Sequence, residues 1–185
     1  ARMAGVQEGV TGRLGDDVLC EKAQCPGSDT NGGYEEYLRT AARSCGKLDD
    51  SLEPSDVAAR ADAGLTSQHA VAKASRLLRP GDVCVVIGAG GLGHIGIQCL
   101  AAMTATNIVV VDRNAAALEL ASELGASQKV VADGLQVYAV LDITDGEGVD
   151  IVLDFVAAEG AANEGLALTR YGRSYVVLAY CGEVI

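Results

Sequence analysis

The sequence predicts an α/β fold built on a doubly wound parallel sheet. Three observations carry this expectation. From residue 55 onward, apolar runs of strand length alternate with helical patterns, as in sheets covered by helices on both faces. The runs are continuously apolar rather than alternating, which marks strands buried on both sides. The first run, Val83-Cys84-Val85-Val86-Ile87, passes into Gly88-Ala89-Gly90-Gly91-Leu92-Gly93 just before a helical pattern opens.

The elements follow in order. Residues 1–54 are irregular and rich in Gly, Asp and Glu, with one strand-like piece at 33–40. A boundary near residues 52–54 separates them from 55–185. Ser55 or Asp56 can cap a helix over 57–63. A second helix covers 67–78 and stops before Arg79-Pro80-Gly81-Asp82. Strand 83–88 leads to a helix over 91–104, where Leu92, Ile95 or Gly96, Cys99 and Met103 share a face. Strand 108–112 is followed by a helix at 115–124, with Ala117, Leu120, Ala121 and Leu124 inward and Gly125 closing it. A short strand at 129–132, a helix at 135–143 and the turn Asp145-Gly146-Glu147-Gly148 come next. Strand 150–156, helix 160–169 and strand 174–180 complete the series.

Composition narrows the function classes. With 185 residues and 49% hydrophobic content, the chain can bury a substantial core, made mostly of Val, Leu, Ile and Ala because it holds one Phe and no Trp. A net charge of −11 argues against a nucleic-acid partner, which needs clustered cations. No apolar run approaches the about 18 residues of a membrane span, and no basic segment followed by an apolar stretch suggests a signal peptide. Six scattered cysteines without a CxxC pair read as reduced thiols of a cytoplasmic protein.

The glycine turn lays a pyrophosphate against backbone N–H groups at a helix N-terminus, where the helix dipole favours negative charge. Gly88 allows the tight turn, Gly90 lets a phosphate approach the backbone, and Gly93 lets the helix pack against the strand. Asp112 ends the second strand 19 residues after Gly93. An acid there accepts ribose hydroxyls and repels a 2′-phosphate, which favours NAD over NADP. The adjacent Arg113 can hold a 2′-phosphate or stack on an adenine edge. His94 and His69 read as structural or surface residues.

Three motifs occur in one order: Gly32-Gly33-Tyr34-Glu35-Glu36-Tyr37, Asp62-Ala63-Gly64-Leu65-Thr66 and Gly88-Ala89-Gly90-Gly91-Leu92-Gly93-His94. Together they resemble the zinc-dependent, medium-chain alcohol dehydrogenases, from about Cys20 to the C-terminus. The resemblance implies a Rossmann-type domain over 55–185, preceded at 1–54 by part of a GroES-like catalytic domain. It implies hydride transfer between a primary or secondary alcohol and NAD. Thr66 would lie near the nicotinamide amide and Leu92 on the nicotinamide face, with Gly91 in the phosphate turn. Phe155, Val156, Leu178 and Tyr180 would line the cofactor channel, although each also fits ordinary packing. Asp62 would be a ligand of the catalytic zinc, or else part of a polar turn, and Cys20 the last cysteine of a structural-zinc lobe.

The departures from that family are equally specific. The Cys and the Gly-His-Glu segment that complete the catalytic zinc site do not occur, and the only histidines are His69 and His94. One carboxylate cannot hold a catalytic zinc, which needs three protein ligands. Counting back from Cys20 by the family's spacing gives Val6, Gly9 and Gly12, or in a shifted register Ala4, Gln7 and Val10, none of them a thiolate. Zinc is therefore expected to be absent or weakly held. Ala157, Ala179 and Cys181 stand where the family has small glycines. The chain ends just past the fifth strand, so residues 176–180 are expected at a sheet edge, a route to oligomers. These departures predict little turnover by this polypeptide alone. The alternatives are a non-catalytic dinucleotide-binding fragment or subunit and a zinc-free NADPH quinone or enone reductase. A methyltransferase leaves the Asp62-to-Thr66 motif unexplained.

Overall fold

The computed structural model describes residues 23–158 and 160–179. Contacts divide the chain between Asp62 and Ala63. The first unit has little regular structure among its described residues. A tight turn follows Cys25, whose carbonyl accepts the N–H groups of Ser28 and Asp29, while its own N–H donates to Asp29 Oδ2 at 2.7 Å. The strand-like piece expected at 33–40 is instead irregular, with Tyr34 and Tyr37 exposed. A strand needs a ladder partner, and none pairs with it among the described residues.

Helix α1 (Pro54–Val57) starts earlier than the expected cap allows. Glu53 is its N-cap and Pro54 its first residue, because proline's fixed φ and missing N–H suit that position. A 3-10 turn over Ala58–Ala61 follows.

The second unit holds α2 (Ala63–Ala74), β1 (Val83–Ile87), α3 (Gly93–Met103), β2 (Asn107–Asp112), α4 (Ala115–Glu123), β3 (Gln128–Val131), α5 (Gln136–Ile143), β4 (Val149–Asp154), α6 (Ala161–Leu168) and β5 (Thr169–Val177). The five strands are parallel in the order β3-β2-β1-β4-β5. The winding direction reverses between β1 and β4. Doubly wound sheets bind ligands at that switch point, beyond the carboxyl ends of the strands.

The pleat sorts the core into two layers. Cys84 and Val86 of β1, Ile108 and Val110 of β2, and Ile151 and Leu153 of β4 pack with Val71 and Ala74 of α2, Ile97 and Leu100 of α3, and Leu118 and Ala121 of α4. Val85, Val109, Val111, Val130 and Val152 face the other way, toward Val140 of α5 and Leu168 of α6. Alternating side-chain direction along a strand makes both layers from continuous apolar runs.

Two helix faces match the sequence pattern in part, with Gly96, Cys99, Ala117, Ala121 and Leu124 packed inward as expected. On α3 the buried residues are Gly93, Gly96, Ile97 and Leu100, while Met103 is exposed. Gly93 and Gly96 bring this face close against Gly88 and Phe155, beside the fully buried Ile97 and Leu100. On α4 the buried pair is Leu118 and Ala121, while Leu120 is exposed. This helix ends in a Schellman closure: Ala126 N–H donates to Ala121 O at 2.9 Å and Gly125 N–H to Ser122 O at 3.3 Å, with Gly125 at φ +116°. Asn114 caps its start by accepting from the N–H groups of Ala116 and Ala117.

Strand β5 begins earlier than the expected residue 174. Val149 pairs with Thr169 but Ile151 with Ser174, so β5 carries extra residues against β4. Gly172, at φ +74°, lies in this excursion. Arg170 and Arg173 from the same segment bind the buried Asp150, Arg173 at 3.1 Å, and Asp150 Oδ2 also accepts the Val83 N–H at 2.9 Å. A carboxylate removed from water thus gains two cations and a backbone donor, as burial of a charge requires.

Burial pushes the Cys84 thiol up to about 12, and the nearby Asp150 carboxylate adds to the rise. Above the ordinary thiol value of 9.0 the unfolded chain loses this proton while the folded chain keeps it. Cys84 therefore contributes stability at lower pH that is lost as pH rises from about 9 toward 12, with a slope of at most about 1.4 kcal/mol per pH unit. Thiol labelling at neutral pH is expected to modify the exposed Cys45 quickly and Cys84 only on unfolding. Rapid labelling of Cys84 in the folded protein would contradict this burial.

No helix among the described residues is long and apolar enough to cross a membrane.

Candidate functional site

The glycine turn lies at the carboxyl end of β1, beside the switch point. Gly88 adopts φ +86°, a conformation that side chains disfavour, and its N–H donates to Val111 O at 2.8 Å. A Cβ there would fall 2.3 Å from Val156 Cγ2. At Gly93 a Cβ would fall 1.7 Å from Gly88 O, so the start of α3 lies directly against the end of β1. Gly90 and Gly91 instead face open space. Two glycines thus serve internal packing, and two leave the backbone accessible.

The turn is held from several sides. Leu92, the N-cap residue of α3, gives its carbonyl to the buried Ser67 hydroxyl of α2 at 2.8 Å and to the N–H groups of Ile95 and Gly96. The Gly90 carbonyl accepts the His94 N–H at 3.1 Å and the His94 Nδ1–H at 2.8 Å. The N–H groups of Gly90, Gly91, Leu92 and Gly93 bond to no acceptor among the described residues. Such unsatisfied donors at a helix N-terminus suit an anion.

Asp112, half-buried at the end of β2, ties the turn to its neighbour. Its Oδ2 accepts the Ala89 N–H at 2.7 Å and its Oδ1 the Asn114 N–H at 2.8 Å. A carboxylate has about four lone-pair sites, so both oxygens keep capacity for ligand hydroxyls. Arg113 beside it is exposed.

The turn after β4 forms the opposite side. Val156 is exposed and lies against Gly88, while Phe155 packs its ring beneath α3, where a Cβ at Gly96 would meet Phe155 Cζ at 2.7 Å. Leu178 is half-buried and packs on the core layer shared with α3. Thr66 is half-buried on α2, one residue before Ser67. Tyr180, Cys20 and the positions counted back from Cys20 lie outside the described residues.

The structure therefore brings together Gly88, Gly90, Gly91, Leu92, Gly93, Asp112 and Val156. Asp62 belongs to the other unit, where it is exposed at the end of the 3-10 turn. Among the described residues no three His, Cys, Asp or Glu side chains gather as metal ligands. That donor set does not fit a catalytic zinc.

Ser67, which holds Leu92 O, and Asp154, which accepts the Val156 N–H at 2.8 Å and the Tyr175 hydroxyl at 2.7 Å, also border the turn and were not expected from the sequence. Asp154 carried a legible signal, because like Asp112 it ends an apolar strand. Ser67 and Tyr175 carried none.

Sheet order and turn geometry define a doubly wound, Rossmann-type α/β domain. Residues 91–184 match the family model described as zinc-binding dehydrogenase. An NAD-dependent alcohol dehydrogenase of Sulfolobus acidocaldarius is 35% identical over 92% of this chain and 49% of its own length. A D-arabinose 1-dehydrogenase (NADP(+)) of Saccharolobus solfataricus is 36% identical over 89% of this chain and 48% of its own. The crystal structure of the alcohol dehydrogenase from Aeropyrum pernix superposes with a TM-score of 0.91 at 34% identity, over 98% of this chain and 54% of that one. The chain belongs to the zinc-binding dehydrogenase family. It spans about half the length of these curated relatives.

Proposed function

We propose that this chain supplies the NAD-binding part of an alcohol dehydrogenase, which moves hydride between an alcohol and a nicotinamide. Asp112 carries the reading: a carboxylate fixed at the end of β2, bonded to the glycine turn at Ala89 and retaining free lone pairs. The N–H groups of Gly90 to Gly93 would receive the pyrophosphate, and Asp112 the ribose hydroxyls of the adenosine. Leu92 and Val156 would present apolar walls, with Thr66 near the nicotinamide amide. When bound, NAD supplies the ring carbon that takes the hydride. In this reading residues 1–54 form part of the catalytic domain, and the cofactor domain expected over 55–185 has its compact unit from Ala63 onward.

Asp112 repels a 2′-phosphate, which favours NAD, and the Sulfolobus acidocaldarius relative is named as NAD-dependent. Arg113 offers the contrary chemistry, and one relative is named for NADP(+). Calorimetric titration of NAD and NADP into the purified chain, with zinc content measured on the same sample, decides between them. Tighter binding of NAD is expected. A preference for NADP would overturn the role given to Asp112, and binding of neither would overturn the reading itself. Near-stoichiometric zinc would show that ligands come from beyond the described residues.

A further inference from the structure

Asp154, the last residue of β4, is fully buried. Its Oδ1 accepts the N–H groups of Val156 at 2.8 Å and Ala157 at 2.9 Å. Its Oδ2 accepts the Tyr175 hydroxyl at 2.7 Å. Tyr175 comes from β5, and its ring fills the space over Gly165 of α6, where a Cβ would fall 2.3 Å from Cε2. The carboxylate thus joins the edge strand to the turn that follows β4.

That turn is conformationally costly. Ala157 is a non-glycine residue at φ +46°, in a left-handed region that L-residues disfavour because Cβ crowds the following carbonyl. It persists because the surroundings over-determine it: Asp154 takes both leading N–H groups, the Phe155 N–H donates to Ile87 O at 3.0 Å, and the Leu178 N–H to Asp154 O at 2.8 Å. The consequence at the site is Val156, whose Cγ2 lies on Gly88 and allows no side chain there.

We propose that Asp154 and Tyr175 are positioning residues for dinucleotide binding. By holding the strained turn, they seat Val156 against Gly88 and so fix one wall of the glycine turn. They do not touch the ligand. This rests on the proposed cofactor role of the glycine turn and extends it to a second strand-end carboxylate, on the far side of the turn from Asp112.

Tyr175→Phe is the informative variant, because it removes one hydroxyl and keeps the ring over Gly165. Its dissociation constant for NAD is expected to rise about tenfold at 25 °C, in protein shown to be folded, roughly the effect of one bond to a charged group. Amide exchange at Val156 and Ala157 should quicken. Asp154→Asn, which cannot accept as a carboxylate, should weaken NAD binding at least as much. Val149→Ala, at the opposite end of β4 and buried, is the control: it should lower the unfolding temperature without changing NAD affinity. If Tyr175→Phe binds NAD as the unaltered chain does, the positioning role is overturned, whatever its effect on stability. If the unaltered chain binds no dinucleotide, this proposal falls together with the reading it rests on.

Discussion

Replacing Gly93 by alanine is expected to be among the most damaging single changes in the molecule. The new methyl would lie 1.7 Å from Gly88 O and 2.8 Å from Gly88 C. Both are backbone atoms, so no rotamer change relieves the overlap. Gly88 cannot retreat easily, since its N–H is bonded to Val111 O and Val156 covers its α-carbon. Moving α3 away instead would open the layer formed by Ile97 and Leu100 against β1. Overpacking typically costs about 1–3 kcal/mol, and a clash with fixed backbone belongs at or above the upper end. The expected loss is about 3 kcal/mol or more, a large part of a marginal folding free energy of about 5–15 kcal/mol. Urea unfolding followed by circular dichroism measures it. Gly91→Ala is the matched comparison, since no atom lies within 4 Å of a Cβ there, and its cost should be small. A loss below about 1 kcal/mol for Gly93→Ala would mean that β1 and α3 are not in the contact described.

The second large effect is expected at Asp112. Asp112→Ala removes the acceptor for the Ala89 and Asn114 N–H groups, and under the proposed function it also removes the acceptor for the ribose. Affinity for NAD should fall about 100-fold, near 2.7 kcal/mol, in line with the loss of charge-assisted hydrogen bonds. Affinity for NADP should fall much less, because the repulsion of its 2′-phosphate disappears with the carboxylate. Asp112→Asn keeps an acceptor oxygen without the charge and should lie between. The readout is the ratio of NAD to NADP dissociation constants in the three proteins. An unchanged ratio would remove Asp112 from cofactor selection and leave it as a tie between β2 and the turn.

Several features of the fold are legible in the chain itself. Continuous apolar runs marked β1, β2 and β4 as buried parallel strands, because a strand covered on both faces has no polar side. The glycine spacing placed the turn, since residues without Cβ are required at Gly88 and Gly93 for reasons local to a strand-turn-helix unit. Asp112 was legible because a strand-end acid following such a turn has a defined chemistry.

Other features depended on partners far away in sequence. The inward faces of α3 and α4 followed the apolar pattern only in part, with Met103 and Leu120 exposed; close approach at Gly93 and Gly96 sets how α3 lies, and no periodicity reports such an approach. Residues 33–40 had strand-like composition, yet a strand exists only where another chain segment completes its ladder. The Asp150 cluster joins β1, β4 and an excursion in β5, and it exists only because the sheet order brings those strand ends together. Asp154 and Tyr175 meet for the same reason, across 21 residues of sequence. The sequence by itself determined the buried strands β1, β2 and β4 and the glycine turn, which local sterics and burial dictate. Only the tertiary structure decided what holds the turn from outside, because those contacts depend on which strands become neighbours.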